Sequence, residues 1–175
     1  MKRKKKTHII LTRHGETLEN NQGILQGHEP GTLSAKGIKE SAALASALKN
    51  RKIDIIFCSD LKRSYISATI IAEYLKLPLN ETILLRERDW GVLTGTKTAM
   101  SYALCDDSVE DNEHLFIRAS MIINCIRFFY NGLTVLIVGH GCINQAIVAN
   151  INNIAPKRLD TISMMQNTEI MEFDI

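Results

Sequence analysis

Short apolar runs of strand length alternate along this chain with longer stretches whose apolar residues recur every three or four positions. Thr7 to Thr12 predicts a buried strand, and Ser34 N-caps a helix running to about Asn50, with Ile38, Ala42, Ala45 and Leu48 on one face. Ile53 to Ser59 reads as a second strand. A helix follows from about Leu61 to Lys76, carrying Leu61, Tyr65, Ala68, Ala72 and Leu75 at helical spacing and stopped by Pro78. Thr82 to Leu85 reads as a short third strand and Gly91 to Glu110 as a loop. Leu115, Ala119, Ile122, Ile126 and Phe129 mark an amphipathic helix, and Asn131-Gly132 turns the chain into the strand Thr134–Val138. A helix from about Cys142 to Asn152, a loop from Pro156 and an alternating edge strand Glu169–Asp174 complete the order. Strand–helix alternation of this kind predicts a mostly parallel sheet with helices on both faces.

Two of the strands end in the same way. Leu11-Thr-Arg-His-Gly-Glu-Thr17 follows the first apolar run, and Gly139-His-Gly141 follows Thr134-Val-Leu-Ile-Val138. Histidines at the carboxyl ends of parallel strands share one edge of the sheet, where open α/β folds place their ligands. Arg13 stands beside the first histidine, and Arg63 lies four residues past Ser59, one turn into the helix after the second strand. Two guanidiniums and two imidazoles converging there suit a phosphoryl group, whose oxygens match the planar arginine fork. A histidine could then act as the nucleophile, with its other ring nitrogen tied to a backbone carbonyl near the turn. Glu87, just past a strand end, is the candidate for protonating the leaving oxygen, with Asp89 the competing acid. No carboxylate cluster in the sequence suggests a metal, so neither metal nor cofactor is expected.

Composition narrows the partners. With 175 residues, 45% of them hydrophobic and 23% charged, the chain has the makings of one ordinary globular domain, expected over residues 7–175. Residues 1–6 are read as a flexible basic N-terminus; Lys2 to Lys6 are all basic, and without them the balance is 16 basic against 19 acidic residues. That balance does not suggest a nucleic-acid binder. No run approaches the roughly 18 apolar residues of a membrane span. The short run Ile9 to Leu11 after the basic head is not that of a signal peptide, and a cytoplasmic location is expected. The four cysteines have no paired spacing, and no disulfide is expected. The expected partner is a phosphorylated small molecule, with no membrane or nucleic acid, and the protein a monomer or homodimer.

The landmarks together resemble the histidine phosphatase superfamily, also called the phosphoglycerate mutase-like family. Thr12-Arg-His-Gly-Glu-Thr17 is similar to its signature, in which the histidine becomes phosphorylated. Asn20, Gln26-Gly27 and Leu33-Ser-Ala-Lys-Gly37 follow in family order, then Ser59-Asp-Leu-Lys-Arg63, Glu87 with Trp90-Gly91, and Gly139-His-Gly141. The resemblance implies a three-layer α/β/α sandwich with one antiparallel edge strand. It also implies metal-independent phosphomonoester hydrolysis through a phosphohistidine on His14. Arg13, Arg63, Glu87 and His140 would share the catalytic work, and Asn20, Gln26, Gly27 and Gly141 would bind substrate. The chain departs from the family pattern at Ile24 and Gln145, where arginine is frequent, and at Cys142. The 53 residues from Glu87 to His140 are short for the family, and Lys97 to Asn112 holds one basic residue against four acids. Both features favour a hydrolase over a phosphoglycerate mutase-type phosphotransferase. The same residues would also suit a phosphohistidine or phosphoprotein phosphatase, or a non-catalytic phosphate-binding member of the family.

Overall fold

The computed structural model describes residues 6–97 and 106–175. The basic head up to Lys5, and the part of the predicted loop from 98 to 105, lie outside them. Five strands form one sheet: β1 (His8–Arg13), β2 (Ile55–Ser59), β3 (Leu79–Thr82), β4 (Thr134–Gly139) and β5 (Ile170–Asp174), in the spatial order β3-β2-β4-β1-β5. β1, β2, β3 and β4 run parallel, and β5 closes one edge antiparallel to β1. The register pairs Arg13 with Gly139, so the two His-Gly turns leave the sheet side by side.

Alternation along β1 separates the two cores. Ile9 and Leu11 face the helices α4 (Asn112–Phe129) and α5 (Gly141–Ile151), among Leu115, Ile122 and Ile147. Ile10 faces α2 (Ala35–Leu48) and α3 (Lys62–Leu75), among Leu48, Ala68 and Ile71. Each of these buried Ile and Leu side chains contributes roughly 1.5–3 kcal/mol by leaving water. The three-layer sandwich with its antiparallel edge strand is thus the fold the sequence predicts. A short helix, α1 (Leu18–Asn21), capped by Thr17, lies between the first turn and α2.

Several sequence expectations shift. Ser34 caps α2 through its hydroxyl, as expected, but the buried face is Gly37, Ser41, Leu44, Ala45 and Leu48, while Ile38 and Ala42 are exposed. Gly37 sets that orientation: a β-carbon there would sit 2.0 Å from the Glu16 carbonyl oxygen, so the helix lies directly against the Arg-His-Gly turn. In α3 the buried residues include Arg63, Ser64 and Ser67, and Tyr65 faces outward. Phe129 is likewise exposed at the end of α4. The third strand runs over Leu79–Thr82 rather than Thr82–Leu85, because the Thr82 hydroxyl accepts from Leu84 N–H and starts a 3₁₀ turn over Ile83–Leu85.

Candidate active site

β1 ends at Arg13 and β4 at Gly139, and the chain turns away from the sheet at both points. His14 therefore stands next to His140, their ring centroids 5.0 Å apart and edge-on. Both imidazoles are buried. His14 Nδ1 lies 2.7 Å from the Gly15 carbonyl oxygen and donates to it, since a carbonyl can only accept. In the neutral ring this leaves the lone pair on Nε2. Burial, then the charges of Arg63 and Arg13, hold His14 well below the ordinary histidine value, against the Gly15 hydrogen bond. His140 is held down in the same way, by burial and then by Arg63, His14 and Arg13. Neither of its ring nitrogens has a hydrogen-bond partner among the described residues.

The two arginines arrive by different routes. Arg13 Nη1 donates to the Met165 carbonyl oxygen at 2.8 Å. Arg63, in the first turn of α3, spends Nη1 on Glu29 O (2.6 Å) and Nη2 on Gly27 O (2.9 Å). Burial lowers Arg63 to about 10, which leaves it cationic at neutral pH. Nε of each arginine is buried without a hydrogen-bond partner among the described residues. Such groups cost about 1–3 kcal/mol each if left unpaired, the cost expected where an anionic ligand completes a site.

Glu87 is free of its basic neighbours. Arg86 pairs instead with Asp60, and Arg88 donates to Glu110 O and Asn112 Oδ1. The Glu87 carboxylate turns to the start of α5, where Oε1 accepts from Cys142 N (2.9 Å) and Ile143 N (3.3 Å), and also from its neighbour Arg88 N (2.8 Å). It fills the capping role for which His140, at the N-cap, supplies no side-chain hydrogen bond. Oε2 accepts from Cys142 N at 3.2 Å.

A cavity of about 830 Å³ opens over these groups. Arg13, His14, Asn20, Gln26, Gly27, Arg63 and Glu87 line it; His140 and Gly141 do not, and His140 backs the wall through its contact with His14. Asn20 Oδ1 is engaged locally, accepting from Thr17 N at 3.2 Å. Gln26 Oε1 is buried against the α-carbon of Gly31. Gly27 contributes its carbonyl to Arg63 and a backbone φ of 52°, the left-handed region that suits glycine. A β-carbon on Gly141 would meet Met164 Sδ at 2.9 Å and Glu87 Oε2 at 3.3 Å, so this glycine makes room for the carboxylate. Ile24, Gln145 and Cys142 also line the cavity. Burial pushes the Cys142 thiol up to about 12, which removes it as a nucleophile at neutral pH.

Sequence reasoning missed one wall and two supports. The wall is the segment from Leu159 to Asn167, which carries Ile162, Met164 and Gln166 along the cavity. Within it, Asn167 Nδ2 donates to His14 O at 2.8 Å. Nothing periodic marks this segment, so the sequence offered no signal. The supports are His28, whose Nε2 donates to Glu87 O at 2.9 Å, and Ser67, whose hydroxyl accepts from Gly15 N and donates to Arg63 O. Among the described residues, no group of three His, Cys, Asp or Glu side chains is placed to hold a metal ion.

A model of the histidine phosphatase superfamily, branch 1, matches residues 9–175. The chain belongs to that family. An uncharacterised phosphatase of Bacillus subtilis, PhoE, is 33% identical over 89% of this chain and 82% of its own length. A metal-independent phosphoserine phosphatase of Arabidopsis thaliana is 31% identical over 83% of this chain and 68% of its own. Some other curated relatives are matched over only half of their length or less. The solved structure of mycobacterial glucosyl-3-phosphoglycerate phosphatase superposes with a TM-score of 0.86, covering 95% of this chain and 89% of that one at 22% identity. At that identity the likeness is one of fold. The chain is a phosphatase of the histidine phosphatase superfamily, and no helix among its described residues is long and apolar enough to cross a membrane.

Proposed function

We propose that the protein hydrolyses small phosphomonoesters without a metal, through a phosphohistidine formed on His14. The observation that carries this reading is the His14 hydrogen bond to Gly15, because it orients the ring and leaves Nε2 unprotonated at the wall of a cavity flanked by Arg13 and Arg63. Nε2 attacks phosphorus, the P–O ester bond breaks, and the leaving oxygen takes a proton from Glu87. Water then attacks the phosphohistidine, gives its proton to Glu87 and releases inorganic phosphate. The guanidiniums hold the equatorial oxygens while charge builds on them, and His140, packed edge-on behind His14, supports that ring.

The test is to mix the protein with p-nitrophenyl phosphate in the presence of EDTA and quench it in base, where phosphohistidine survives. A phosphorylated peptide containing His14, formed at the rate of turnover and absent from His14→Ala, is the expected result. Turnover abolished by the chelator, or a His14→Ala variant as active as the unaltered chain, would overturn the reading.

A further inference from the structure

The outer face of α4 is apolar where a surface helix is ordinarily polar. Leu115, Ala119, Ile122 and Ile126 turn into the core, yet Ile117, Met121 and Phe128 are 53%, 54% and 77% exposed on the opposite side. With Asn124 among them, these residues are spaced four, three and four along the chain, the spacing of the seam between two packed helices. One flank of the seam carries Glu113, Ser120 and Arg127 at intervals of seven. Glu113 and Arg127 are exposed, and about 21 Å of helix, at 1.5 Å per residue, keeps them from meeting each other. Among the described residues neither has an ion-pair partner; Arg127 Nη1 reaches only Asn124 Oδ1, at 3.4 Å. On the other flank Arg118 is turned to Glu110 by two hydrogen bonds of 2.7 Å, Asp111 is engaged by His114, and Cys125 is neutral.

We infer that α4 pairs two copies of this chain antiparallel about a two-fold axis, Ile117 of each packing on Met121 of the other. The charges select this arrangement. In that register Glu113 lies beside Arg127 of the second copy, and the symmetry repeats the pair at the other end of the seam. A parallel pairing would set Glu113 beside Glu113 and Arg127 beside Arg127, which like-charge repulsion disfavours. His114 meets Asn124 of the second copy, a polar layer of the kind that fixes register, and Phe128 covers the first turn of the second helix. A two-fold interface is complementary to itself and closed, so association stops at the dimer. With one helix from each copy the interface is small, which sets its dissociation constant at roughly micromolar.

Sedimentation equilibrium of the full chain, from about 1 to 200 µM, covers the range in which interfaces of this size associate. A monomer–dimer equilibrium is expected, and Met121→Glu should sediment as a monomer throughout. Arg127→Glu alone should weaken the dimer about tenfold, because it turns two attractions into two repulsions. Glu113→Arg combined with Arg127→Glu should restore it to within about threefold of the unaltered chain, since the reciprocal pairs form again with their signs exchanged. None of the three residues lines the cavity, so p-nitrophenyl phosphate hydrolysis at low concentration, beside the Tm, shows that each variant is folded. A chain monomeric at every concentration would overturn the inference, as would a folded Met121→Glu that still dimerises. A double charge variant as weak as Arg127→Glu would overturn the antiparallel register. The charge variants decide the matter by themselves if Met121→Glu does not fold.

Discussion

Asn144 donates from Nδ2 to the carbonyl oxygen of Thr12 at 3.0 Å, tying the helix after His140 to the strand that ends in Arg13 and His14. The amide is wholly buried and also reaches Met165 Sδ at 3.4 Å; the Met165 carbonyl in turn receives Arg13. One side chain thus spans both His-Gly turns and the missed wall. Asn144→Leu keeps the branching and heavy-atom count of the side chain, with bulkier methyls, and removes a buried Oδ1 that has no partner among the described residues. Stability by urea titration should change by no more than about 1–2 kcal/mol, whereas kcat/KM should fall roughly tenfold or more as the turns lose their mutual register. Steady-state kinetics beside the urea midpoint separate the two effects.

The glycines at the first turn should tolerate no side chain. A β-carbon on Gly15 would lie 2.3 Å from the Gly37 carbonyl oxygen, and one on Gly37 lies as close to Glu16. Gly37→Ala must push α2 off the turn, and overpacking of this kind costs about 1–3 kcal/mol. The expected outcome is a Tm lowered by several degrees together with reduced phosphate affinity. An unchanged Tm would mean that the helix moves away freely.

The two buried histidines make stability depend on pH in a definite direction. Their folded values lie below the ordinary 6.5, so the unfolded chain binds protons first as the pH falls. Their contribution is complete above pH 6.5 and is lost as the pH drops below it, by up to about 1.4 kcal/mol per unit for each ring. His8 works in the opposite sense. Hydrogen bonds to Asp174 and Glu172 raise it, so its smaller, partly exposed contribution is present below 6.5 and fades as the pH rises through the raised value. Urea midpoints at pH 7, 6 and 5 should therefore fall in that order, and His140→Asn should flatten the slope.

Glu87→Gln tests the acid assignment. Glutamine retains an oxygen to accept from Cys142 N, so α5 keeps its cap. With the proton donor gone, kcat for an alkyl phosphate should fall about a hundredfold or more, and for p-nitrophenyl phosphate by much less, because nitrophenolate leaves without protonation. Equal losses on both substrates would assign Glu87 a purely structural role as the cap.

The order of elements and the pairing of the two His-Gly turns were legible in the sequence, because apolar strands and turn glycines are what define them; the antiparallel sense of the edge strand came only with the family resemblance. The faces of α2 and α3 were legible only in part: Ala45, Leu48, Ala68 and Ala72 are buried as read, but Ile38, Ala42 and Tyr65 are exposed. Reading apolar residues at helical spacing favours Ile38 and Tyr65, yet other buried positions belong to Gly37, Ser41, Ser64 and Ser67, small residues that let backbones approach or serve the turns by hydrogen bonding. The residues expected at the site largely line the cavity, but Gly27 and Gly141 serve it through backbone and space rather than through contact groups. The wall from Leu159 to Asn167 begins in a short 3₁₀ helix, Pro156–Thr161, and continues as irregular chain placed by tertiary contacts, so no hydrophobic periodicity announces it.

Strand β1 lies between β4 and β5, so the first of the five strands is flanked by the fourth and the fifth. During synthesis Arg13 and His14 emerge early but have no neighbouring strand until Thr134 and beyond have left the ribosome, and Arg13 has no Met165 to aim it until later still. Pairings this distant along the chain close slowly. Arg13 and His14 are therefore without their partners until β4 and Met165 are available, and a fragment stopping short of β4 should neither pair its first strand nor bind phosphate.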